Sequence, residues 1–329
     1  MKAQALTYME KSLSSKRLAA LLMGGVSLFA LGVLPTTAPA QVIPDGALGT
    51  NVAMGGPGVA QVTGGTIAGN VQYHGFDSFN VASGTTVNVF QNTATNAMVN
   101  LIRGGQSTID GQVNFTKGGV VADSNVFLLN SDGFIVGGTG SIHAGLLTIA
   151  TPTALEMDAL ALQAAGTDNG AFERLSNGAM ALADGNIEIY GQIHARRLTM
   201  SAGARMIVDG SLLVEDGGAS GTIAPAVNTD GVPTAGGAQV LAGGVIRLHA
   251  GGTMRVGGQA KASRGTSGGL IEATADGPLA LAPAGLFDVA AQVRAKRGPL
   301  FSTPRAAQRW SRACASRRGR APERAGGSF

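Results

Sequence analysis

The chain has 329 residues, of which 51 are glycine and 44% are hydrophobic, so it can form a core and disorder does not explain the glycine. Residues 42–293 hold ten basic and eighteen acidic side chains, whereas residues 1–41 and 294–329 are basic. The net charge of +4 therefore comes from the two ends of the chain and does not support a nucleic-acid-binding function. The single cysteine, Cys314, excludes disulfides and cysteine-based metal sites in residues 1–313.

The first 40 residues have the features of a secretory signal peptide. Lys11, Lys16 and Arg17 precede an apolar run over residues 18–34, and Ala38 and Ala40 follow as small residues two positions apart. We therefore expect cleavage after Ala40. The alternative is an uncleaved anchor, because a run of about 17 residues is at the lower limit for a transmembrane helix.

The segment that follows the cleavage point predicts a cap. Residues 42–66 are rich in glycine, contain Pro44 and Pro57, and have only scattered apolar positions. Open strand edges pair with other chains unless something covers them. We expect this segment to cover the first strands of the fold.

A five-residue pattern (apolar, any, glycine, polar, apolar) recurs between residues 42 and 293. Its occurrences begin 42, 80 and 19 residues apart, near two, four and one times a period of about 20, at residues 67–71, 109–113, 189–193 and 208–212. Such repeats predict a solenoid whose coils stack their inward apolar residues. The spaced leucines of leucine-rich repeats are missing, so the predicted fold class is all-β, a parallel β-helix whose strands have partners on both sides.

Three segments depart from the repeat. Residues 154–165 have a helical pattern with a stop at Gly166, and predict a short helical excursion from the solenoid. Residues 216–240 are turn-forming throughout and predict a loop insertion, after which further coils follow over 241–293. In residues 294–329 arginine, alanine, serine and proline dominate, which predicts a basic disordered tail and a truncated or frameshifted reading frame.

Short motifs follow one another in a fixed order between residues 100 and 151. They are NLIRGG (100–105), STIDG (107–111), FLLNSDGF (127–134), VG (136–137) and AT (150–151). The series resembles the secretion domain of filamentous haemagglutinin-type exoproteins of two-partner secretion systems. The resemblance covers about residues 42–215, with weaker similarity to residue 293. Ser131 and Asp132 replace the Pro-Asn of the family turn, Phe134 replaces Ile, and Arg103 lies one place later than usual.

The resemblance implies a right-handed parallel β-helix, with the secretion domain at residues 41–215. It implies export through the periplasm and outer membrane of a Gram-negative bacterium, with recognition by a dedicated outer-membrane β-barrel transporter. The exported protein would be a secreted or cell-surface adhesin, for which a host-cell or surface glycan receptor is a second expected partner. Nucleic acid and cofactors are not expected, and neither is enzymatic activity.

The first group of candidate recognition residues belongs to the NLIRGG motif, in which a short strand-like segment is followed by Arg103 and two glycines. Its members are Asn100, Arg103, Gly104 and Gly105. Arg103 lies between an apolar run and two glycines, and we expect it to contact the transporter. The alternative is a salt bridge to one of three nearby acids, which are Asp77, Asp110 and Asp132.

The second group forms the predicted turn of the FLLNSDGF motif. Its members are Asn130, Asp132, Gly133 and Phe134. Asparagine and aspartate side chains at a turn bond to their own backbone. Structural stacking of Asn130 in the turn and recognition by the transporter are both open interpretations.

Histidines and acids give little sign of a catalytic or metal site. None of the four histidines has a second ligand at metal-ligand spacing, and the four are His74, His143, His194 and His249. No Gly-x-Ser-x-Gly elbow and no paired-carboxylate cleft is recognisable. Some enzymes that act on polysaccharides share the β-helix, and that alternative needs three or more acids converging in a groove.

Overall fold

The structure is a computed structural model that describes residues 41–216, 244–264, 267–281, 287–288 and 292–297. The predicted signal peptide with Ala38 and Ala40 lies outside the described residues, as does nearly all of the predicted insertion. The predicted tail lies outside them from residue 298 onward. Within the described part of the chain, no helix has the length and hydropathy needed to cross a membrane.

The strands follow one another as a cap and a series of coils. The cap contains β1 (Gln41–Pro44), β2 (Thr50–Gly56), β3 (Val59–Gly64) and β4 (Thr66–Ala68); coil 1 contains β5 (Val71–Asn80) and β6 (Thr86–Gln91); coil 2 contains β7 (Ala97–Ile102), β8 (Ser107–Ile109), β9 (Gln112–Lys117) and β10 (Val120–Val121); coil 3 contains β11 (Asn125–Asn130), β12 (Gly133–Val136) and β13 (Ser141–His143). Coil 4 contains β14 (Leu146–Ala150), β15 (Asn186–Ile189) and β16 (Gln192–Ala195); coil 5 contains β17 (Arg197–Ala202), β18 (Met206–Val208) and β19 (Ser211–Asp216); coil 6 contains β20 (Val245–Ala250), β21 (Met254–Val256), β22 (Gln259–Arg264) and β23 (Ser267–Gly268); coil 7 contains β24 (Leu270–Ala275), β25 (Leu279–Leu281) and β26 (Phe287–Asp288), and β27 (Gln292–Arg297) follows.

Equivalent strands of successive coils pair in parallel and form three sheets. Sheet A runs β5-β7-β11-β14-β17-β20-β24-β27, sheet B runs β3-β6-β9-β13-β16-β19-β22-β26, and sheet C runs β8-β12-β15-β18-β21-β25. Each coil from 2 to 7 adds one strand to every sheet. The predicted parallel β-helix is therefore confirmed.

The cap covers the first coil with antiparallel strands. β1 and β4 both pair antiparallel with β5, and β2 forms an antiparallel hairpin with β3. β3 also pairs in parallel with β6, so it already follows the path of sheet B. The cap thus changes from antiparallel pairing to the parallel pairing of the coils.

The core is a stack of inward-facing side chains that continues from coil to coil. In sheet B one fully buried position recurs in six consecutive strands, as Val87, Val113, Ile142, Ile193, Leu212 and Ala260. Complete burial of one such valine, isoleucine or leucine side chain stabilises the fold by about 1.5–3 kcal/mol before entropy costs. Each coil therefore depends on its neighbours for its stability.

The glycine of the five-residue pattern lies at the corner between sheets C and B. A Cβ atom on Gly111, Gly191 or Gly210 would meet backbone carbonyl oxygens of the preceding coil, so only glycine allows the coils to approach this closely. Three pattern occurrences superpose there, because Ile109, Ile189 and Val208 share one register in sheet C.

Two parts of the repeat prediction were wrong: the assignment of residues 67–71 to a coil, and the uniform period of about 20 residues. Ile67 lies in the antiparallel β4–β5 hairpin of the cap and is 47% exposed, so its pattern is not a coil corner. Coil length also varies, since register partners one coil apart are separated by 28 residues between β7 and β11 and by 19 between β16 and β19. Connections at the corners absorb this difference.

The helical excursion leaves coil 4 between β14 and β15 and contains two helices. α1 (Ala154–Ala164) is capped by Thr153, whose Oγ1 accepts a hydrogen bond from Glu156 N at 3.4 Å, and Gly166 follows the helix with φ +98°. This helix was predicted at residues 154–165, whereas the shorter α2 (Ala171–Ser176) was not.

A second apolar core lies between these helices and the outer face of sheet A. Tyr73, Val99, Leu101, Phe127 and Leu129 are buried there together with Met157, Leu160 and Leu175 of the helices. The rings of Phe127 and Phe172 meet edge to face with centroids 5.8 Å apart. The apolar run at residues 126–129 is thus buried on both faces because the helices cover its outer side.

The coil path extends past the predicted boundary of the tail. β27 pairs in parallel with β24 from Gln292 to Arg297. Four residues that the composition assigned to a disordered tail, 294–297, are therefore in a strand. In this strand Arg294 and Lys296 alternate with Val293 and Ala295. Composition alone does not distinguish such a strand from a basic tail.

Candidate functional site

The motifs of residues 100–134 lie where coils 2 and 3 turn from sheet A to sheet C. Residues 103–106 connect β7 to β8, and Ser131 and Asp132 connect β11 to β12. Because β7 pairs with β11 and β8 with β12, the two connections lie next to each other. The exposed residues Arg103, Gly104, Gly105, Gln106 and Asp132 form what we refer to as the coil 2–3 corner.

Asn130 is buried beneath the coil 2–3 corner and forms hydrogen bonds to both of its connections. Its side chain is fully buried, and Nδ2 donates to Gly105 O at 2.8 Å and to Ser107 Oγ at 3.0 Å. Its Oδ1 accepts from Asp132 N at 2.9 Å, which makes the turn an Asx turn. Asn130 thus fixes the turn of coil 3 to the connection of coil 2, and it cannot itself touch a partner.

Asn100 points into the solenoid interior. It is fully buried between Met98 and Ile102, which face the main core, and its Nδ2 donates to Phe127 O at 3.0 Å. Its Oδ1 has no hydrogen-bond partner within the described residues. Asn100 is therefore also out of reach of a transporter in the folded domain.

His74 precedes Asn100 in the same inward-facing row, since the two are register partners in β5 and β7. Its Nδ1 lies 3.3 Å from Thr50 Oγ1 in β2, and its ring stacks on Phe76 with centroids 6.1 Å apart. Burial lowers the pKa of His74 to about 4. The imidazole is therefore neutral where it joins the cap to coil 1.

The glycines and the phenylalanine of the motifs meet packing demands. A Cβ atom on Gly104 would meet Asp77 O, and Gly105 has φ +63°, which disfavours other residues. Gly133 has φ +98° and lies against the backbone of Asn186. Phe134 is fully buried in the main core. These residues shape the corner without presenting side chains to a partner.

Arg103 forms a salt bridge, but with a residue that was not among the predicted partners. Its Nη1 lies 2.6 Å from Asp158 Oδ1 in α1, and its Nη2 donates to Met157 O at 3.5 Å. The predicted partners Asp77, Asp110 and Asp132 were wrong because the helical excursion folds back over the corner. The Arg103 side chain remains 34% exposed, so it can still reach a partner.

His143 and His194 lie side by side on the outer face of sheet B. They are register partners in β13 and β16, and their ring centroids are 4.9 Å apart. Along the sequence, neither histidine has a second ligand at metal-ligand spacing. The helical excursion accounts for most of the 50 residues between these two.

Several acids of the coils and helices are engaged in ion pairs. Glu156 pairs with Arg174 at 2.8 Å, and Glu188 and Asp209 pair with Arg205 and Arg255 on the outer face of sheet C. The hydroxyl of Tyr190 donates to Glu188 at 2.8 Å. Across the described ranges, no group of three or more histidines, cysteines and acids could hold a metal ion.

Comparison with known proteins identifies the family. A family model described as the TPS secretion domain matches residues 40–293, well over half of the chain, and the match includes the coils after residue 240. Among solved structures, the chain is similar to one described as the crystal structure of filamentous hemagglutinin secretion domain, at 17% identity and a TM-score of 0.37, covering 79% of this chain and 97% of that chain. No curated protein matches. The chain belongs to the family of TPS secretion domains.

Proposed function

We propose that the coil 2–3 corner is the surface by which an outer-membrane transporter recognises this chain during export through the periplasm and outer membrane. Membership of the family makes the chain the secretion domain of a two-partner secretion substrate, with an outer-membrane transporter as its partner. Such domains belong to secreted proteins of Gram-negative bacteria. An adhesive role, with a host-cell or glycan receptor, is a further part of the proposal and rests on the resemblance alone.

One observation carries the proposal for the corner. The residues of the NLIRGG and FLLNSDGF motifs divide into buried ones that hold two connections together and exposed ones at the surface of those connections. The buried hydrogen bonds of Asn130 order the exposed groups before any partner arrives. A preordered polar surface loses less conformational entropy on binding.

We attribute no catalytic role to the domain. Glu156, Glu188 and Asp209 each have a basic partner in the described part of the chain. This arrangement supports a binding function over the polysaccharide-acting enzyme.

We also propose that folding outside the cell favours outward transport. Each new coil buries its inward side chains on the coil before it, so folding can proceed in the order in which coils emerge. Burial of about 300 Å² of apolar area per coil would contribute on the order of 7 kcal/mol before entropy costs.

The recognition proposal is tested by two variants that break the same ion pair from opposite sides. Arg103→Gln removes the exposed cation of the corner, whereas Asp158→Asn removes its partner in α1 and leaves the corner unchanged. We expect Arg103→Gln to reduce export by about tenfold, the effect of losing one charge-assisted hydrogen bond. The measurement is the exported fraction of full-length chain co-expressed with its outer-membrane transporter.

The matched variant separates recognition from stability. Asp158→Asn should be exported like the wild type, and urea unfolding should give similar midpoints for both variants, since exposed ion pairs contribute only about 0–1 kcal/mol. Equal export of Arg103→Gln and wild type would contradict the role of Arg103. An equal loss in both variants would show that the ion pair matters and recognition by Arg103 does not.

A further inference from the structure

A row of polar side chains crosses the outer face of sheet B from coil to coil. Asn88, Asn114, His143 and His194 are consecutive in this row, because β6, β9, β13 and β16 pair in parallel register. Both histidines are half-buried, and their rings lie edge to face at an interplanar angle of 79°. Two imidazoles are therefore next to each other on a rigid sheet.

The neighbouring amides orient the ring of His143. Asn114 donates through Nδ2 to Asn88 Oδ1 at 2.9 Å, so its Oδ1 faces His143 and lies 2.9 Å from Nδ1. Gln112 Nε2 also lies 2.9 Å from that oxygen and 3.2 Å from Nδ1. A proton on His143 Nδ1 bonds to Asn114 Oδ1 and leaves the lone pair on Nε2, whereas a proton on Nε2 leaves Nδ1 to accept from Gln112 Nε2. The first is the tautomer that metal-ligating histidines adopt when a carbonyl accepts their second ring proton.

His194 has a similar neighbour. Its Nε2 lies 3.3 Å from Gln192 Oε1, which can accept the ring proton and leave a lone pair on Nδ1. Neutral imidazole is the form that binds zinc, nickel and copper ions.

We propose that His143 and His194 bind one divalent transition-metal ion, such as Zn²⁺, Ni²⁺ or Cu²⁺, between coils 3 and 4. Next in the row stand Asn114 on one side and Leu213 on the other. The described residues therefore supply two imidazoles, and the other coordination positions are left to water or to a side chain of another molecule. Among these three ions, Cu²⁺ should bind with the highest affinity.

Such an ion would join two coils that the helical excursion separates along the chain. His143 precedes the excursion and His194 follows it, so the two ligands come together only when coil 4 has closed on coil 3. Metal binding therefore stabilises the folded stack and has little affinity for the unfolded chain. A hundredfold excess over the dissociation constant should raise the unfolding midpoint by about 5 °C.

The test uses the full chain without a polyhistidine tag and with the single cysteine, Cys314, alkylated. Titration calorimetry at pH 7.5 with ZnCl₂ and with NiCl₂ should show one ion bound per chain. His143→Asn and His194→Asn keep the row intact, because Asn88 and Asn114 already occupy equivalent positions. Each variant should lose about tenfold or more in affinity, and His249→Asn on sheet A should bind like the wild type. Bound Cu²⁺ should show two imidazole nitrogens by electron paramagnetic resonance.

Two results would overturn the proposal. One is the absence of binding to the wild type at about 1 mM metal, because a site with a dissociation constant above that concentration has a binding free energy smaller than about 4 kcal/mol. The other is unchanged affinity in the double variant His143→Asn/His194→Asn. Circular dichroism of that variant, recorded beside the wild type, shows whether the coils still form.

Discussion

The side chain of Asn130 makes three hydrogen bonds inside the fold, and this arrangement is typical of the polar residues in the motifs. Turn chemistry predicted that Asn130 would bond to its own turn, and its contact with Asp132 N agrees. Its contacts with Gly105 and Ser107 were beyond prediction, because they depend on which connection the next coil places beside it. The buried state of Asn100 was missed for the same reason.

His74 makes the stability of the fold depend on pH. The pKa of a histidine in the unfolded chain is about 6.5, whereas burial lowers that of His74 to about 4 in the folded chain. Between these values the unfolded chain binds more protons, so the free energy of unfolding falls as the pH falls. His74 should account for a loss of about 3 kcal/mol between pH 7.5 and pH 4.

The measurement is urea unfolding of the wild type and of His74→Gln at a series of pH values. His74→Gln should have a smaller dependence on pH because Gln does not titrate. If His74→Gln loses as much stability on acidification as the wild type, the buried histidine is not its source.

The helical excursion contains one helix that the sequence predicts and one that it does not. α1 was predictable from its leucines and from Gly166, but α2 is only six residues long and has too few positions to show a helical period. The contact between the helices and sheet A could not be predicted, because apolar outward residues in β7 and β11 are also found in strands that a neighbouring sheet covers. Their continuous apolar character had a second cause, the helices on the outer face.

Two leucines of α1 test whether the helices are a structural part of the domain. Leu160 is fully buried on sheet A, whereas Leu162 on the same helix is 55% exposed. Leu160→Ala should lower the free energy of unfolding by about 2–5 kcal/mol, because it leaves a cavity. Leu162→Ala should change it by less than about 0.5 kcal/mol. Urea unfolding measures both, and equal effects would mean that the helices do not pack as described.

At the scale of the whole molecule, the repeat predicted the parallel β-helix, but the pattern was too short to identify coils reliably. A five-residue pattern with a central glycine also fits an antiparallel hairpin, as at residues 67–71. Insertions between coils lengthen the separation of true neighbours along the chain, as between His143 and His194. The salt bridge of Arg103 with Asp158 likewise follows from the path of the chain.

The proposal that coil-by-coil folding favours export can be tested at one residue of sheet A. Arg247 lies in β20, where it pairs with Glu272 of the following coil. Arg247→Pro removes a backbone N–H from the parallel ladder of sheet A, whereas Arg247→Gln loses the same ion pair and keeps that N–H.

The most direct measurement is the export rate of these two variants, followed as pulse-labelled chain released through the co-expressed transporter. Arg247→Pro should slow release several-fold because coil 6 cannot form on coil 5, and Arg247→Gln should be released at the rate of the wild type. Equal release rates for Arg247→Pro, Arg247→Gln and the wild type would contradict the claim that folding of the coils favours export.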